Sequence, residues 1–415
     1  MRRRKKRLRL FNMMLLTIVI FIFILGLLVL AHEFGHFLMA KRAGVKVEEF
    51  GFGFPPRLLS FRKGETIYSL NLIPIGGFVK IYGEENPEET KSGNIASVSV
   101  ETEQLQISSS SAETIIQETE TAIEIQTPEN DQRAFYNKSI VSRAKILVAG
   151  VIFNLILAAF LFSIGHMLGL PTAMEDNLKF GQLRDQKIQI VMIAPDSPAA
   201  KAGIIAGDTI KKISLQQNQG VNVQEVKEVQ DFIEQNKNQE IVLTIERGKE
   251  ILDFSVVPLQ NPPSDEGPIG IALAKTALVS YPWYWAAIKG IEDTFNLFKL
   301  MVKTLAIMLY RLVAGLPVGL EVAGPVGIFV LAQQASQLGL IYLLQFTAFI
   351  SINLAIINIL PFPALDGGRL LFLAIEKIRR KPVSQKVEKA IHTAGFAFLI
   401  ALMLLVTIRD LTKIF

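Results

Sequence analysis

Apolar residues along this chain gather into four blocks: Phe11 to about Leu38, Ile146–Leu170, Leu338–Phe362 and about Ile391–Ile408. A helix of about 20 mostly apolar residues crosses the hydrocarbon core of a bilayer. The first three blocks reach that length, and the fourth reaches it with its flanks. The first block continues into charged sequence without an A-x-A site, so it reads as a retained span rather than a cleavable signal. The pattern predicts a polytopic α-helical membrane protein with about four transmembrane helices.

The stretches between the blocks set the remaining boundaries. A basic tail and the first span occupy 1–40, a membrane-associated β-hairpin or sheet 41–83, and a flexible polar insert 84–132. The second span lies within 140–170, and an inserted α+β domain occupies 175–275. An interfacial amphipathic segment follows over 280–330, then the third span over 338–369 and the fourth over 390–410. Thr66–Tyr82 reads as paired strands around a Pro/Gly turn at Pro74–Gly77. Glu, Ser, Thr and Gln dominate the insert, which offers nothing to build a core. In the α+β domain, Val223–Gln235 is helix-like, and Glu240–Arg247 and Leu252–Pro258 alternate as strands. Tyr281–Gly290 carries both tryptophans and suits a membrane interface. Lys299, Lys303 and Arg311 suit Thr294–Leu312 to a helix lying in that interface; a fifth crossing is the alternative, at the cost of three cations in the bilayer.

Composition narrows the chemistry. The 415 residues include no cysteine, so any metal must be held by His and carboxylates. The net charge of +5 is too small to point to nucleic acid. The seven basic residues before Phe11 adjoin a span, and their expected partner is the anionic surface of a lipid bilayer.

The first block ends in His32-Glu33-Phe34-Gly35-His36. Residues four apart share a helix face, so both imidazoles reach one ion. Zn²⁺ suits two nitrogens and a carboxylate with a fourth position open, and Glu33 is placed to move a proton. The chain has only four histidines, so a chance pair at this spacing around a Glu is a poor explanation. Two imidazoles and a carboxylate beside a membrane core are also costly without a purpose. Asp366 is the only acid within or immediately after the third block. Alone it would read as an Asp-Gly turn; beside a metal motif that lacks a third ligand, it reads as that ligand. Pro361 and Pro363 break the helix there, and irregular backbone at membrane depth belongs where it lines a wet cavity. His166 and His392, without a motif, read as ordinary span-end residues.

These motifs resemble those of the site-2 protease family, in particular its bacterial RseP-like members that act in regulated intramembrane proteolysis. The resemblance rests on HEFGH at 32–36, GFGF at 51–54, Pro74-Ile-Gly-Gly-Phe-Val-Lys80, Gly324-Pro-Val-Gly327, and Asn358 through Pro361-Phe-Pro-Ala-Leu-Asp-Gly-Gly368. A further stretch, Ser197–Ile210, is similar to part of a PDZ domain, which makes the inserted domain PDZ-like. The family likeness implies that His32, His36 and Asp366 bind Zn²⁺, that Glu33 is the catalytic base, and that Asn353 and Asn358 contact substrate. From the residues alone, the two asparagines serve equally as hydrogen-bond donors to a substrate backbone or as glue between helices. The likeness also gives the 41–83 strands a task, holding an unwound substrate by strand addition. It implies a membrane-protein substrate with a transmembrane segment, such as an anti-sigma factor or a remnant signal peptide, and an upstream site-1-type protease acting on the same substrate.

The expected location is the bacterial inner membrane, with the PDZ-like domain on the extracytoplasmic side. Basic residues after the first span (Lys41, Arg42, Lys46, Arg57, Arg62, Lys63) and between the third and fourth (Lys377, Arg379, Arg380, Lys381, Lys386, Lys389) favour the cytoplasm for both loops. The basic tail favours the opposite, a conflict that a translation start at Met13 or Met14 would remove. Two other functions compete. A PDZ scaffold with a decayed site is disfavoured by the intact His32, Glu33, His36 and Asp366. A membrane-anchored zincin of another fold would take its third ligand from a Glu on a soluble helix.

Overall fold

The computed structural model describes residues 2–84, 131–173, 182–215, 220–248, 250–263, 266–316 and 323–414. The polar insert expected at 84–132 lies outside these residues apart from its ends. In chain order the elements begin with α1 (Arg2–Arg42), β1 (Val47–Lys63), β2 (Thr66–Ile81) and α2 (Ile140–Leu168). There follow β3 (Leu170–Ala173), β4 (Gln182–Ile193), α3 (Pro198–Ala202), β5 (Thr209–Leu215), β6 (Val221–Asn222) and α4 (Val226–Gln235). The series continues with β7 (Ile241–Arg247), β8 (Glu250–Val256), β9 (Ile271–Ser280) and α5 (Trp283–Val313). It closes with α6 (Pro325–Leu338), α7 (Leu340–Ile359), α8 (Asp366–Arg379) and α9 (Gln385–Ile414).

Among the described residues, four helical stretches are long and apolar enough to cross a membrane: Leu15–Arg42, Ile140–Leu168, Leu340–Ile359 and Lys386–Thr412. Many of their large side chains, including Phe23, Ile156, Phe160, Phe396 and Leu405, are exposed. Apolar patches of that extent are unusual on a water-facing surface and suit contact with lipid.

The chain forms two compact units. One comprises Leu25–Phe153 and Ile357–Phe398. Its sheet is built by β1 and β2, which pair antiparallel from the reversal at Gly64. The first half of β1 has partners on both sides: Phe50 stands opposite Val79 and also Tyr68, and Phe52 opposite Gly77 and Leu70. This corrects the expected hairpin within Thr66–Tyr82. The two halves of β2 do not pair with each other; residues 47–52 of β1 lie between them, and Pro74–Gly77 carries the chain from one side to the other. Local patterning marks the bend but not the strand that separates its arms. A core of Ala40, Val45, Val47, Ile81, Ile146, Leu147 and Leu373 joins the sheet to the helices. The part-buried Arg143–Glu376 pair adds a 2.5 Å ionic contact between α2 and α8.

The other unit comprises Met1–Ile24, Asn154–Ile356 and Leu399–Phe415. Its antiparallel sheet runs β3-β9-β4-β5-β7-β8, with β6 beside β5. Ile241, Leu243 and Ile245 alternate inward from β7, the period-two pattern of a strand with one buried face. They meet Ile188, Ile190, Ile210 and Ile213, and the Val229–Ile233 pair one helical turn apart on α4. Burying each such side chain contributes about 1.5–3 kcal/mol. Asp208, fully buried, accepts hydrogen bonds from Arg247 Nε (2.8 Å) and Nη2 (2.6 Å). Beside this domain, α5 buries Ala286, Gly290 and Thr294 along one face, and Leu297, Phe298, Met301 and Leu305 pack on the core around Ala158, Leu161 and Phe162 of α2. Lys299, Lys303 and Arg311 are exposed. Asp410 of α9 accepts a 2.8 Å hydrogen bond from the Gly327 amide in the first turn of α6, where a carboxylate suits the helix dipole.

Candidate metal and catalytic centre

The centre lies within the unit formed by Leu25–Phe153 and Ile357–Phe398. His32 and His36 project from one face of α1, both buried, and Asp366 is the first residue of α8. Asp366 Oδ2 lies 3.0 Å from His32 Nε2 and 3.3 Å from His36 Nε2, and the two Nε2 atoms are 3.2 Å apart. Ligand atoms about 2.0–2.1 Å from a tetrahedral zinc ion stand about 3.3 Å from one another. The triangle therefore has the size of a zinc face. Asp366 Oδ2 is sealed from solvent without an ordinary hydrogen bond, as a ligand atom would be. His36 Nδ1 lies 2.8 Å from the carbonyl oxygen of Ile146. Donation of Nδ1–H to that carbonyl fixes the tautomer and leaves the Nε2 lone pair facing the triangle.

Backbone approach at glycines makes room for the cradle. A Cβ on Gly150 would stand 2.4 Å from His36 Nε2 and 2.6 Å from His32 Cε1. One on Gly35 would stand 2.5 Å from the Ala149 carbonyl oxygen. So α1 and α2 touch at Gly35 and Gly150, and the histidine rings occupy the space a side chain at 150 would fill. The Asp366 turn is similarly tight: a Cβ on Gly367 would lie 2.0 Å from the Leu360 carbonyl oxygen, and one on Gly368 2.4 Å from that of Phe362.

The remaining site residues differ in placement. Glu33 runs beside β2, where a Cβ on Gly77 would be 3.3 Å from Glu33 Cγ. Asn358 Nδ2 lies 3.3 Å from His32 Nε2 and so adjoins the triangle. Asn353, in the other unit, donates its amide to the Phe349 carbonyl oxygen at 3.1 Å. His166 Nε2 faces Asp293 Oδ2 at 2.7 Å, and His392 Nδ1 accepts the Ala364 amide at 2.8 Å. From sequence, Gly77 falls in a turn and His392 at a span end, and Gly150 has no role. A glycine inside an apolar block was the only trace of Gly150, and nothing local marked it as a neighbour of residues over a hundred positions away.

Two imidazoles, a carboxylate and an adjacent glutamate at the ends of apolar helices have the make-up of a membrane zinc hydrolase site. The model of peptidase family M50 matches residues 20–402. The chain is 33% identical over 455 residues to the zinc metalloprotease RasP of Oceanobacillus iheyensis, covering 96% of this chain and 99% of that protein. It is 34% identical over 448 residues to the regulator of sigma-W protease RasP of Bacillus subtilis, with the same coverage. It is also 34% identical over 400 residues to a putative zinc metalloprotease of Clostridium acetobutylicum, covering 95% of this chain and 97% of that one. The chain belongs to peptidase family M50, the site-2 proteases. It is an intramembrane zinc metalloprotease with Zn²⁺ as cofactor, acting in regulated intramembrane proteolysis.

Proposed function

We propose that His32, His36 and Asp366 hold the zinc ion, that Glu33 is the general base, and that the substrate is a transmembrane segment of another protein. The observation that carries this reading is the triangle of Nε2, Nε2 and Oδ2 atoms with edges of 3.0–3.3 Å. When bound, the ion supplies Lewis-acid polarisation of the scissile carbonyl and lowers the pKa of water. Glu33 takes a proton from the attacking water and passes it to the leaving amine. Asn358, beside His32, offers Nδ2–H to the carbonyl oxygen as charge develops there. Asn353 uses its second amide proton and its Oδ1 to hold the substrate backbone, since an amide side chain carries two donors and an acceptor.

A helical substrate hides its peptide bonds and must be held extended. The 77–81 half of β2 has partners in β1 along one side, and its first residue, Gly77, adjoins Glu33. Strand addition along the other side brings an extended segment to the base. All four apolar helices cross the bacterial inner membrane, with the basic stretches at 41–63 and 377–389 in the cytoplasm. The domain at 175–275 is PDZ-like, faces the extracytoplasmic side, and screens substrates that a site-1-type protease has already shortened. Similarity to a regulator of sigma-W protease makes a membrane-bound anti-sigma factor the substrate class to try first.

The test is cleavage of a tagged single-span protein by wild type and Glu33→Gln, with zinc measured in both. Loss of cleavage with zinc retained is expected, because the proton acceptor goes and the ligands stay. Equal cleavage by the variant would remove Glu33 from the mechanism.

A further inference from the structure

The chain between Ile359 and Asp366 is irregular, yet it must deliver a carboxylate to within a few tenths of an ångström. It contains two prolines, which donate no hydrogen bonds, and Ala364 adopts φ +74°, a left-handed conformation that a residue with a Cβ avoids. Strain of this kind persists only when neighbours over-determine it. The neighbours here come from α9. The Ala364 amide donates to His392 Nδ1 at 2.8 Å. Pro363 rests on Gly395, where a Cβ would stand 2.4 Å from Pro363 Cβ and 2.9 Å from its carbonyl oxygen. The Phe362 ring lies 5.8 Å from that of Phe398. Three consecutive turn residues thus meet three α9 residues spaced three apart, which share one helix face.

Two details single out the His392 contact. Its ring is held 5.4 Å from Phe372 of α8, so the acceptor is itself fixed. Its other nitrogen, Nε2, is buried without a hydrogen bond, with Glu388 Oε1 3.9 Å away. A buried polar nitrogen without a partner is unfavourable, so packing alone would be better served by an apolar side chain. What the imidazole adds is an acceptor at Nδ1. We infer that His392 is a positioning residue: by accepting the Ala364 amide it fixes the turn that sets the Asp366 carboxylate against His32 and His36. The inference rests on the reading of Asp366 as a zinc ligand.

The test uses full-length protein in detergent micelles and follows zinc release to an excess of chelator. His392→Leu fills the space without an acceptor, while His392→Asn returns an oxygen close to the Nδ1 position. His392→Leu should release zinc about tenfold or more faster than wild type, and His392→Asn at close to the wild-type rate. The melting temperature of the zinc-free protein should be similar in both variants, which separates positioning from general stability. If His392→Leu fails to fold, His392→Phe, a ring of similar size without an acceptor, takes its place and should also release zinc faster than His392→Asn. Equal release from acceptor-bearing and acceptor-lacking variants overturns the inference. Asp366→Asn, measured alongside, separates the two levels. If it loses zinc while His392→Leu behaves as wild type, the ligand stands and the brace falls. If Asp366→Asn itself keeps zinc like wild type, the ligand assignment fails and the brace with it.

Discussion

The core of the sheet domain and the cradle around His32 and His36 are both closely packed, by different means. In the sheet domain, Ile188, Ile190, Ile210, Ile213, Ile241, Leu243 and Ile245 fill a shared interior with branched side chains. Around the histidines, side chains are absent where they would matter: Gly35, Gly150, Gly367 and Gly368 let backbone approach backbone or imidazole at distances a Cβ would violate. Aliphatic packing adjusts when volume changes, because side chains can shift among rotamers. A gap bounded by backbone carbonyl groups, as at Gly35, Gly367 and Gly368, has no such freedom. The first region therefore tolerates small changes at a graded cost, and the second loses its geometry at one methyl group.

The largest effect expected from this contrast is at Gly150. Gly150→Val places a branched side chain where His36 Nε2 and His32 Cε1 already lie. Zinc should be lost, and cleavage should fall by more than about 10²-fold, since misplacement of catalytic groups by about 1 Å costs that much. Zinc analysis and a cleavage assay on one preparation check both. A variant that kept its metal and its rate would show that the helices can separate there without consequence, and the contrast would fail.

A comparable blow to the sheet domain should spare the metal. Asp208→Ala leaves Arg247 without the carboxylate that it meets at 2.6 and 2.8 Å. Breaking a buried pair from one side costs about 3–5 kcal/mol. Hydrogen exchange should then quicken across β5, β7 and β8, with zinc content unchanged. Loss of zinc in this variant would mean that the two regions do not fail independently.

Legibility from sequence follows the same divide. HEFGH places two histidines and a glutamate within five residues, so local spacing announces a metal motif. Asp366 has no local signature beyond an Asp-Gly turn and became legible only because a metal motif elsewhere lacked a ligand. The alternating strands β7 and β8 were visible because a half-buried strand repeats every two residues. Gly150 was not visible, because its meaning lies in contact with His36, 114 residues earlier. His392 looked like a span end because its partner, the Ala364 amide, is a backbone group that no side-chain pattern records. The Pro74–Gly77 bend was seen as a bend, but strand order around it depends on long-range pairing with Val47–Phe52.

Within the cradle, the asparagine beside His32 offers a milder perturbation. Asn358→Ala removes the amide 3.3 Å from His32 Nε2 but leaves the ligands and the glycine contacts in place. A rate loss of about 10²-fold with zinc retained is expected for a donor to developing charge. Asn353→Ala, whose amide is engaged with Phe349 on its own helix, should cost less. If Asn358→Ala instead releases zinc, its role is to orient His32 rather than to meet substrate.

The smallest effect belongs to the aliphatic core and is the most exacting check on the contrast. Ile213 is 1% exposed on β5 and belongs to the aliphatic core of the sheet domain. Ile213→Val removes one methylene, a change that adds no atom and strands no polar group. Such substitutions typically cost about 1 kcal/mol, because the surrounding side chains close part of the gap. Exchange of the β5 and β7 amides should quicken by roughly fivefold, in keeping with a loss of that size. Zinc content and cleavage should match wild type. The deletion is of the same order as the methyl that Gly150→Ala adds in the cradle, so the two form a matched pair. A near-silent Ile213→Val beside a metal-depleted Gly150→Ala is the expected pair of results. Equal tolerance at the two positions would mean that the cradle relaxes as readily as an oil-like core, and that its glycines are not what holds the ligands in place.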